Sequence, residues 1–376
     1  MCQSQERCGD GSVTRPSRAK LDSSVPENDP QQRSLPSYAR PAGSETRPCT
    51  VVYDCGVPLP ERALIRRLRV HAAKQRAGFP GIGIGDDCAV VPIPRGHQAL
   101  VTTDFSLENI HFRRAWHPPE SVGHRCLARG LSDIAAMGGM PQAVFLSLAL
   151  PGSLPQSWVD GFLNGLLELA GDFKVELAGG DTAESPRGIL ADIVVLGSVP
   201  KGKAVLRSRA RPGERIYVTG ELGGSAATLY LLSQGNKLRP LDFGRHFYPT
   251  PRVAVGRVLR EKGLASAMID LSDGLSTDLS HVCEESGVGA EIETDAIPLA
   301  NLGKTGRRVD LRSALHGGED YELLFTVPEG KRVPPRIAGV AVRQIGVILR
   351  GRKVFLQNRK GMRQEFLPQG WEHFKK

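Results

Sequence analysis

The chain has 376 residues, of which 40% are hydrophobic and 24% charged, and its formal net charge at pH 7 is +9. This composition is typical of a globular protein and excludes a chain that is disordered throughout. The length exceeds the size at which one hydrophobic core usually stops growing, so we expect two folded domains.

Apolar runs and cysteines exclude further classes of protein. No apolar run approaches the roughly 18 residues that a membrane-spanning helix needs. The first residues lack the apolar centre of a secretory signal, so we expect a cytoplasmic protein without a membrane partner. Seven cysteines are scattered without a C-x-x-C pair, so we expect neither a disulfide framework nor a zinc site.

Domain boundaries follow from composition. Residues 1–56 contain six prolines and no sustained periodicity, which predicts a disordered N-terminal extension. The segment 57–206 is predicted as the N-terminal domain. The segment 207–376 is predicted as the C-terminal domain.

Strand and helix patterns alternate through both predicted domains. In the first, they predict helices at 60–72, 121–138 and 158–173 and strands at 88–93, 99–104, 142–151 and 189–199. A turn or linker is predicted at 207–213. The second domain follows with predicted helices at 225–235, 251–263 and 275–287 and strands at 215–220, 266–271, 290–295, 321–327 and 343–349. The order of elements predicts an α+β fold of two α/β domains.

The stretch "VLGSVPKGKAV" at 195–205 nearly matches a phosphate-binding P-loop. Pro200 removes a backbone donor from it, and Ala204 stands where a hydroxyl would hold Mg²⁺. The following residues do not read as a helix whose N-terminus could face phosphates. We therefore expect phosphate to be bound elsewhere.

Acidic residues recur where apolar runs end in glycine-rich or hydroxyl-rich turns, and one more lies on a helix. Each has an ordinary explanation as a turn or capping residue, and Asp133 could pair with Arg129 one turn earlier. Together, carboxylates beside threonines and serines are the hard oxygen ligands that Mg²⁺ prefers, and such a cluster tolerates polyphosphate only when metal ions bridge them. The series comprises Asp86, Asp87, Asp104, Asp133, Asp181, Asp270 and Asp273.

Basic residues concentrate near the C-terminus, where 331–376 holds twelve Lys or Arg against two acidic residues. Their alternation with Val and Phe is typical of the solvated face of strands. The same charge could attract phosphorylated ligands. No aromatic or helix-turn-helix pattern accompanies it, so we do not expect nucleic acid as a partner.

Eight stretches, in order over about 60–374, resemble the thiamine-monophosphate kinase family, which is related to aminoimidazole ribonucleotide synthetase and selenophosphate synthetase. They are "GIGDDCAVV", "TTDFSLENIHF", "LARGLSDIAAMGGMP", "LAGGDT", "RSRARPGERIYVTG", "IDLSDGLSTDL", "GGEDYELLF" and "GWEHF". The resemblance implies an N-terminal mixed sheet with helices, through which a homodimer forms, and a sandwich-like α/β C-terminal domain. It also implies that the domain at 57–206 binds ATP and Mg²⁺ and that the domain at 207–376 completes the ATP and substrate sites.

The resemblance also implies roles for individual residues. ATP would contact Gly180, Asp181, Arg207 and Ser272, and thiamine monophosphate would contact His111, Glu319 and Trp371. The thiazolium ring of that substrate is a cation, and an aromatic face or a carboxylate attracts a cation. The electrostatic framework of catalysis would be Asp87, Asp104, Asp181, Asp270 and Asp273. The implied Mg²⁺ ligands are Asp87, Thr102, Thr103, Asp104, Asp133, Asp181, Asp270 and Asp273.

The implied reaction is direct in-line transfer of the ATP γ-phosphoryl group to thiamine monophosphate, giving thiamine diphosphate. The nucleophile is an anionic phosphate oxygen, so no strong general base is required. Two other possibilities stay open. One is another ATP-dependent enzyme of the same group, such as one resembling aminoimidazole ribonucleotide synthetase. The other is a basic, non-enzymatic binder of nucleic acid or a regulatory partner.

Overall fold

A computed structural model describes residues 59–74, 80–81, 83–84 and 88–371 of the chain. The predicted extension at 1–56 lies outside the described residues. The described part contains the α-helices α1 (Glu61–Lys74), α2 (Pro119–Ala136), α3 (Gln156–Phe173), α4 (Gly224–Ser233), α5 (Gly244–Phe247), α6 (Val253–Glu261), α7 (Leu275–Ser286) and α8 (Leu311–His316). No helix in these ranges has the length and apolar character required to cross a bilayer.

The strands form two sheets. They are β1 (His97–Leu107), β2 (Met140–Leu150), β3 (Glu176–Glu184), β4 (Leu190–Pro200), β5 (Arg215–Thr219), β6 (Met268–Asp270), β7 (Gly289–Glu293), β8 (Leu323–Val327), β9 (Arg336–Ile337), β10 (Val340–Leu349), β11 (Val354–Gln357) and β12 (Arg363–Glu365). The first sheet has the order β1-β4-β2-β3. The second has the order β12-β11-β7-β10-β5-β8-β6, with β9 beside β10.

The first sheet has an inner face packed on α2 and α3 and an outer face opposite to it. Alternation along β2 buries Leu146, Leu148 and Leu150 in the core that these helices complete. On β1 the same alternation leaves Val101 and Phe105 on the outer face, 67% and 53% exposed. The pair β2–β3 is parallel, whereas β1–β4 and β2–β4 are antiparallel.

The second sheet is built mainly from short strands, of which β6 and β8 are buried at every position. Leu323–Val327 pairs with β5 on one side and β6 on the other, so both its edges are covered. Leu279 and Val282 of α7 join the buried residues of β5 and β7 in a core of their own. This sheet positions the loops after β6 and before β8 that carry Asp273 and Glu319.

The mixed α/β fold is confirmed, with three local corrections. The predicted strand at 88–93 is wrong, because only Val90 makes a bridge and Pro92 cannot donate a hydrogen bond to a neighbouring strand. The stretch "LAGGDT" was expected to be a turn but lies within β3, where pairing with β2 holds it extended. The segment 207–213 contains a short 3₁₀ helix, Arg207–Arg209.

The weak P-loop match at 195–205 does not form a P-loop. Its first residues belong to β4, which runs antiparallel to β1 and ends at Pro200. A turn follows, and the next helical residues are the single 3₁₀ turn that begins at Arg207. No helix N-terminus therefore faces this loop in the described chain, as the sequence predicted.

Candidate functional site

A cavity of about 500 Å³ opens between the end of β1 and the loops of the second sheet. Its wall contains six of the residues predicted from the sequence: Asp104, His111, Ser272, Asp273, Glu319 and Trp371. They come from segments up to 267 positions apart in sequence. The backbone N–H of Trp371 donates to the Asp273 carbonyl at 3.2 Å, which ties the C-terminal segment to the β6–α7 loop. Trp371 itself is 54% exposed, so it is not a core residue.

Glu319 is held by two buried arginines of α2. Arg125 Nη2 lies 2.6 Å from both carboxylate oxygens of Glu319, and Arg129 Nη2 lies 2.8 Å from one of them. Burial alone would raise the pKa of Glu319, but the two guanidinium charges outweigh it and hold that pKa at about 2. Glu319 also adopts φ 64°, which points its carboxylate toward α2 from the loop before β8. Its negative charge is therefore already matched.

A second group of carboxylates lies where β1, α2 and β6 meet. Thr102 Oγ1 donates to Asp133 Oδ2, and Ser132 Oγ donates to Asp270 Oδ2 at 2.7 Å. The pKa of Asp270 is raised to about 7, mainly by burial and secondly by the nearby charge of Asp133, while the Ser132 hydrogen bond and the charge of Arg207 oppose the rise. Burial likewise raises the pKa of Asp133. Two carboxyl groups held together in this way favour a shared cation.

Asp104 links this carboxylate group to the cavity. Its Oδ1 lies 3.6 Å from Arg129 Nη1, and it lines the cavity beside Glu319. The pKa of Asp104 is raised to about 6, chiefly by burial, while the charge of Arg129 opposes the rise and the charge of Asp133 adds to it. Arg129 therefore pairs with Asp104 and Glu319. The alternative that Asp133 simply pairs with Arg129 one turn earlier is wrong, because Asp133 accepts from Thr102 and the Arg129 guanidinium pairs with Asp104 and Glu319.

The outer face carries the other predicted residues. The cross-strand register aligns Phe105, Asp192, Ser147 and Asp181 in one row, and side chains in such a row share a face. Thr103 belongs to the same face, because its Oγ1 donates to Asp192 Oδ1 at 2.7 Å. The structure thus separates these residues from the inner-face carboxylates. Asp87 lies outside the described residues.

Asp181 and Gly180 line a second cavity, of about 890 Å³, between α1 and strands β2 and β3. Gly180 has φ 149°, and a Cβ at this position would collide with the carbonyl oxygen of Leu146 on β2. This position therefore requires glycine for both conformation and space. The Asp181 carboxylate accepts a hydrogen bond from the Thr182 N–H at 2.8 Å.

The oxygen ligands on the inner face suit Mg²⁺ both in their chemistry and in their number. Within the described ranges, no group of three or more His, Cys, Asp or Glu side chains could hold a metal ion by itself. Mg²⁺ usually takes one or two protein carboxylates and completes its shell with water and substrate phosphate. Asp133 and Asp270, with the hydroxyl of Thr102, supply such a partial shell, and a cation would relieve their mutual repulsion.

Several residues at the site were missed from the sequence. Arg125 and Arg129 stand four positions apart in an apolar helix, so they share a face and are buried on it. That pattern of two cations on a buried helical face is a usable signal for an anionic partner. Asp278 was also missed; its Oδ2 accepts from the N–H groups of Asp273 and Gly274 at 3.2 and 3.0 Å and so fixes the loop that carries Asp273.

The basic C-terminal region is partly neutralised by acidic neighbours. Three of its cations pair with carboxylates: Lys353 with Glu365 at 3.1 Å, Arg359 with Asp295 at 3.3 Å, and Arg363 with Glu291 at 2.8 Å. Arg363 also lies 3.6 Å from the ring centre of Phe355. These contacts agree with a solvated strand surface.

Comparison with known families gives two matches along the chain. Residues 85–199 match the family AIR synthase related protein, N-terminal domain. Residues 211–356 match the family AIR synthase related protein, C-terminal domain. Both predicted site regions, around Asp104 and around Asp273, fall within the matched residues.

Individual relatives of this chain are thiamine-monophosphate kinases. Thiamine-monophosphate kinase from Salmonella typhimurium is 41% identical over 276 residues, covering 70% of this chain and 81% of that protein. The same enzyme from Bacillus subtilis is 39% identical over 253 residues, covering 65% of this chain and 77% of that protein.

Solved structures of similar fold include thiamine-monophosphate kinases. Thiamine-monophosphate kinase from Stenotrophomonas maltophilia is 33% identical with a TM-score of 0.67, covering 78% of this chain and 95% of that one. AaThiL in complex with AMPPCP and TMP is 31% identical with a TM-score of 0.66, covering 84% and 97%. The hydrogenase maturation protein HypE in complex with ATP shares only the fold, at 18% identity, a TM-score of 0.69 and coverage of 84% and 97%.

Proposed function

The chain belongs to the AIR synthase related family and, within it, to the thiamine-monophosphate kinases, and from that membership we propose the reaction that it catalyses. The γ-phosphoryl group of ATP passes directly to the phosphate of thiamine monophosphate, and the products are thiamine diphosphate and ADP. The observation that carries the proposal is the cavity in which Asp104, Asp273, His111, Glu319 and Trp371 converge from distant segments.

Catalysis rests on positioning and on neutralising charge. The acceptor oxygen belongs to a phosphate that is already anionic at neutral pH, so the site needs no strong base. We assign Asp104, Asp133, Asp270 and Asp273, with the Thr102 hydroxyl, to holding Mg²⁺ beside the cavity. Bound Mg²⁺ would neutralise the phosphate oxygens during transfer. We also assign Arg207, whose charge lowers the pKa of both Asp133 and Asp270, to the ATP phosphates.

The thiamine part of the substrate meets a different set of groups. Trp371 is half exposed at the cavity wall, where an aromatic face can attract a cationic ring. Glu319 contributes through its fixed position between Arg125 and Arg129 rather than through unmatched charge. His111 is held at the wall because its Nδ1 accepts from the Leu107 N–H at 3.0 Å.

A homodimer is proposed through the outer face of the first sheet. A single chain leaves Val101 and Phe105 of β1 largely exposed on this face, and water-exposed apolar side chains on a sheet favour coverage by a partner. Thr103 and Asp181 lie on that face, so residues of a second copy would pack beside them. Replacing Val101 by Glu should shift the mass measured by light scattering from dimer to monomer.

The assignment of Asp273 gives a direct test of the proposed site. In an assay with thiamine monophosphate, ATP and Mg²⁺, Asp273→Asn should abolish turnover while its thermal unfolding stays close to that of the parent chain. The matched control is Asp295→Asn, which removes an exposed partner of Arg359 and should keep full activity. A fully active, Mg²⁺-dependent Asp273→Asn variant would contradict the assignment.

A further inference from the structure

Two histidines outside the proposed catalytic set lie buried behind the cavity. His117 precedes α2 and is 2% exposed, and His246 lies in α5 and is 1% exposed. Their Nε2 atoms are 2.9 Å apart. Both sit against the arginine that holds Glu319, because Arg125 Nη1 lies 3.2 Å from His246 Nε2.

The Arg125 donor beside His246 favours one of the two neutral tautomers of this ring. A guanidinium can only donate, so His246 Nε2 must accept from Arg125. The hydrogen of this ring is then on Nδ1, which lies 2.9 Å from Ser225 Oγ and donates to it. His246 is therefore neutral and links Arg125 to the first turn of α4.

The tautomer of His117 follows from that of His246. Since His246 Nε2 is an acceptor, the facing Nε2 of His117 must carry the hydrogen, and its Nδ1 accepts from the Arg113 N–H at 3.2 Å. The opposite tautomer would donate from Nδ1 to the Arg113 carbonyl, 3.1 Å away. It would also set two ring lone pairs against each other at 2.9 Å, which is unfavourable in a buried site.

The charges around the two rings favour their neutral forms. The pKa of His117 is lowered to about 4 by burial, which is the larger cause, and by the charge of Arg125. The pKa of His246 also lies well below its ordinary value, mainly because the ring is buried and secondly because Arg125 is positively charged. The negative charge of Glu319 opposes this shift. Because both rings are buried, a proton added to either would face the Arg125 charge with little screening by solvent.

We propose that His117 and His246 form a neutral hydrogen-bond relay whose role is to position Arg125, and through it Glu319, for substrate binding. The relay begins at Arg113, passes through both rings and ends at Ser225, and both end residues line the cavity. It thereby couples the α2 side of the cavity to the α4 side. The link to substrate rests on the proposed function, whereas the protonation pattern does not.

The protonation pattern is tested by nuclear magnetic resonance on the full chain labelled with ¹⁵N-histidine. The chain has nine histidines, so His117→Gln and His246→Gln variants assign the two signals. We expect a hydrogen on Nδ1 of His246 and on Nε2 of His117, unchanged from pH 5.5 to pH 8. Reversed tautomers, or either ring titrating in that range, would overturn the relay whether or not the chain is a kinase.

The positioning role is tested by steady-state kinetics on His246→Leu and His246→Gln. Loss of the acceptor in His246→Leu should raise the KM for thiamine monophosphate about tenfold while kcat and the KM for ATP change less than about twofold. His246→Gln should restore a KM near the parent value, because an amide oxygen can accept from Arg125 where Nε2 does. A merely structural role predicts equal loss in both variants and would overturn the proposal.

His124 supplies the matched control. It lies on the same helix, and its Nε2 is 2.8 Å from the Pro249 carbonyl, so its ring hydrogen bonds to backbone rather than to the guanidinium of Arg125. His124→Gln should leave all three kinetic constants within about twofold of the parent chain. Should it raise the KM for thiamine monophosphate as His246→Leu does, the effect would belong to general packing and the relay would be refuted.

Discussion

The charge of Glu319 should be a major source of stability in the folded chain. Glu319→Gln keeps the size and shape of the side chain but removes the charge that faces Arg125 and Arg129. These two arginine side chains are only 4% and 7% exposed, so solvent compensates poorly for the lost carboxylate. A buried ion pair that loses one partner typically costs about 3–5 kcal/mol.

The pKa of Glu319 leads to a similar magnitude. The two arginines lower it from an ordinary 4.5 to about 2, and each pKa unit corresponds to about 1.4 kcal/mol, so the charge contributes about 3 kcal/mol. Because the folded-state pKa is depressed, this contribution is fully present above pH 4.5 and is lost as the pH falls through 2. The difference between the two proteins should therefore shrink in acid.

Urea unfolding of both proteins at pH 7 and at pH 3 measures this difference. We expect Glu319→Gln to lower the free energy of unfolding by about 3 kcal/mol at pH 7 and by clearly less at pH 3. The control is Glu221→Gln, which breaks an exposed pair with Arg245 and should cost less than about 1 kcal/mol. A Glu319→Gln variant as stable as Glu221→Gln at pH 7 would show that the charge of Glu319 does not stabilise the folded chain.

Three further substitutions test other parts of the account. Asp270→Asn should raise the Mg²⁺ concentration for half-maximal rate by at least about 100-fold, and an unchanged Mg²⁺ titration would count against Asp270 as a ligand. Gly180→Ala should lower the free energy of unfolding in urea by about 1–3 kcal/mol, because φ 149° and the Leu146 carbonyl exclude a side chain, and an equally stable variant would argue otherwise. Phe162→Ala should cost about 3–5 kcal/mol in the same assay, since Phe162 is fully buried, and a loss below 1 kcal/mol would contradict its place in the core.

Long periodic segments were predictable from sequence, and short or glycine-rich ones were not. The helix predicted at 158–173 is α3, and the strand predicted at 189–199 is β4, within two residues at each end. Strand β3 was missed because Gly179 and Gly180 have little preference for extended structure on their own. Its conformation depends on pairing with β2, which sequence periodicity does not reveal.

The candidate site was predictable in its residues but not in its pairing. The series of aspartates pointed to cation chemistry, and the resemblance added Glu319 as a substrate contact. The partners of Glu319 were missed because Arg125 and Arg129 are about 190 positions away in sequence. The separation of Asp104 from Asp181 on opposite faces of one sheet also follows only from the strand register.

The most direct test of the account follows the phosphoryl group itself. The full chain is incubated with thiamine monophosphate, Mg²⁺ and ATP labelled in its γ-phosphoryl group, and the products are separated. The proposed reaction predicts that the label is recovered in thiamine diphosphate and that one ADP forms for each molecule of thiamine diphosphate. Label that is recovered only as inorganic phosphate or unreacted ATP, from protein that remains folded, would contradict it.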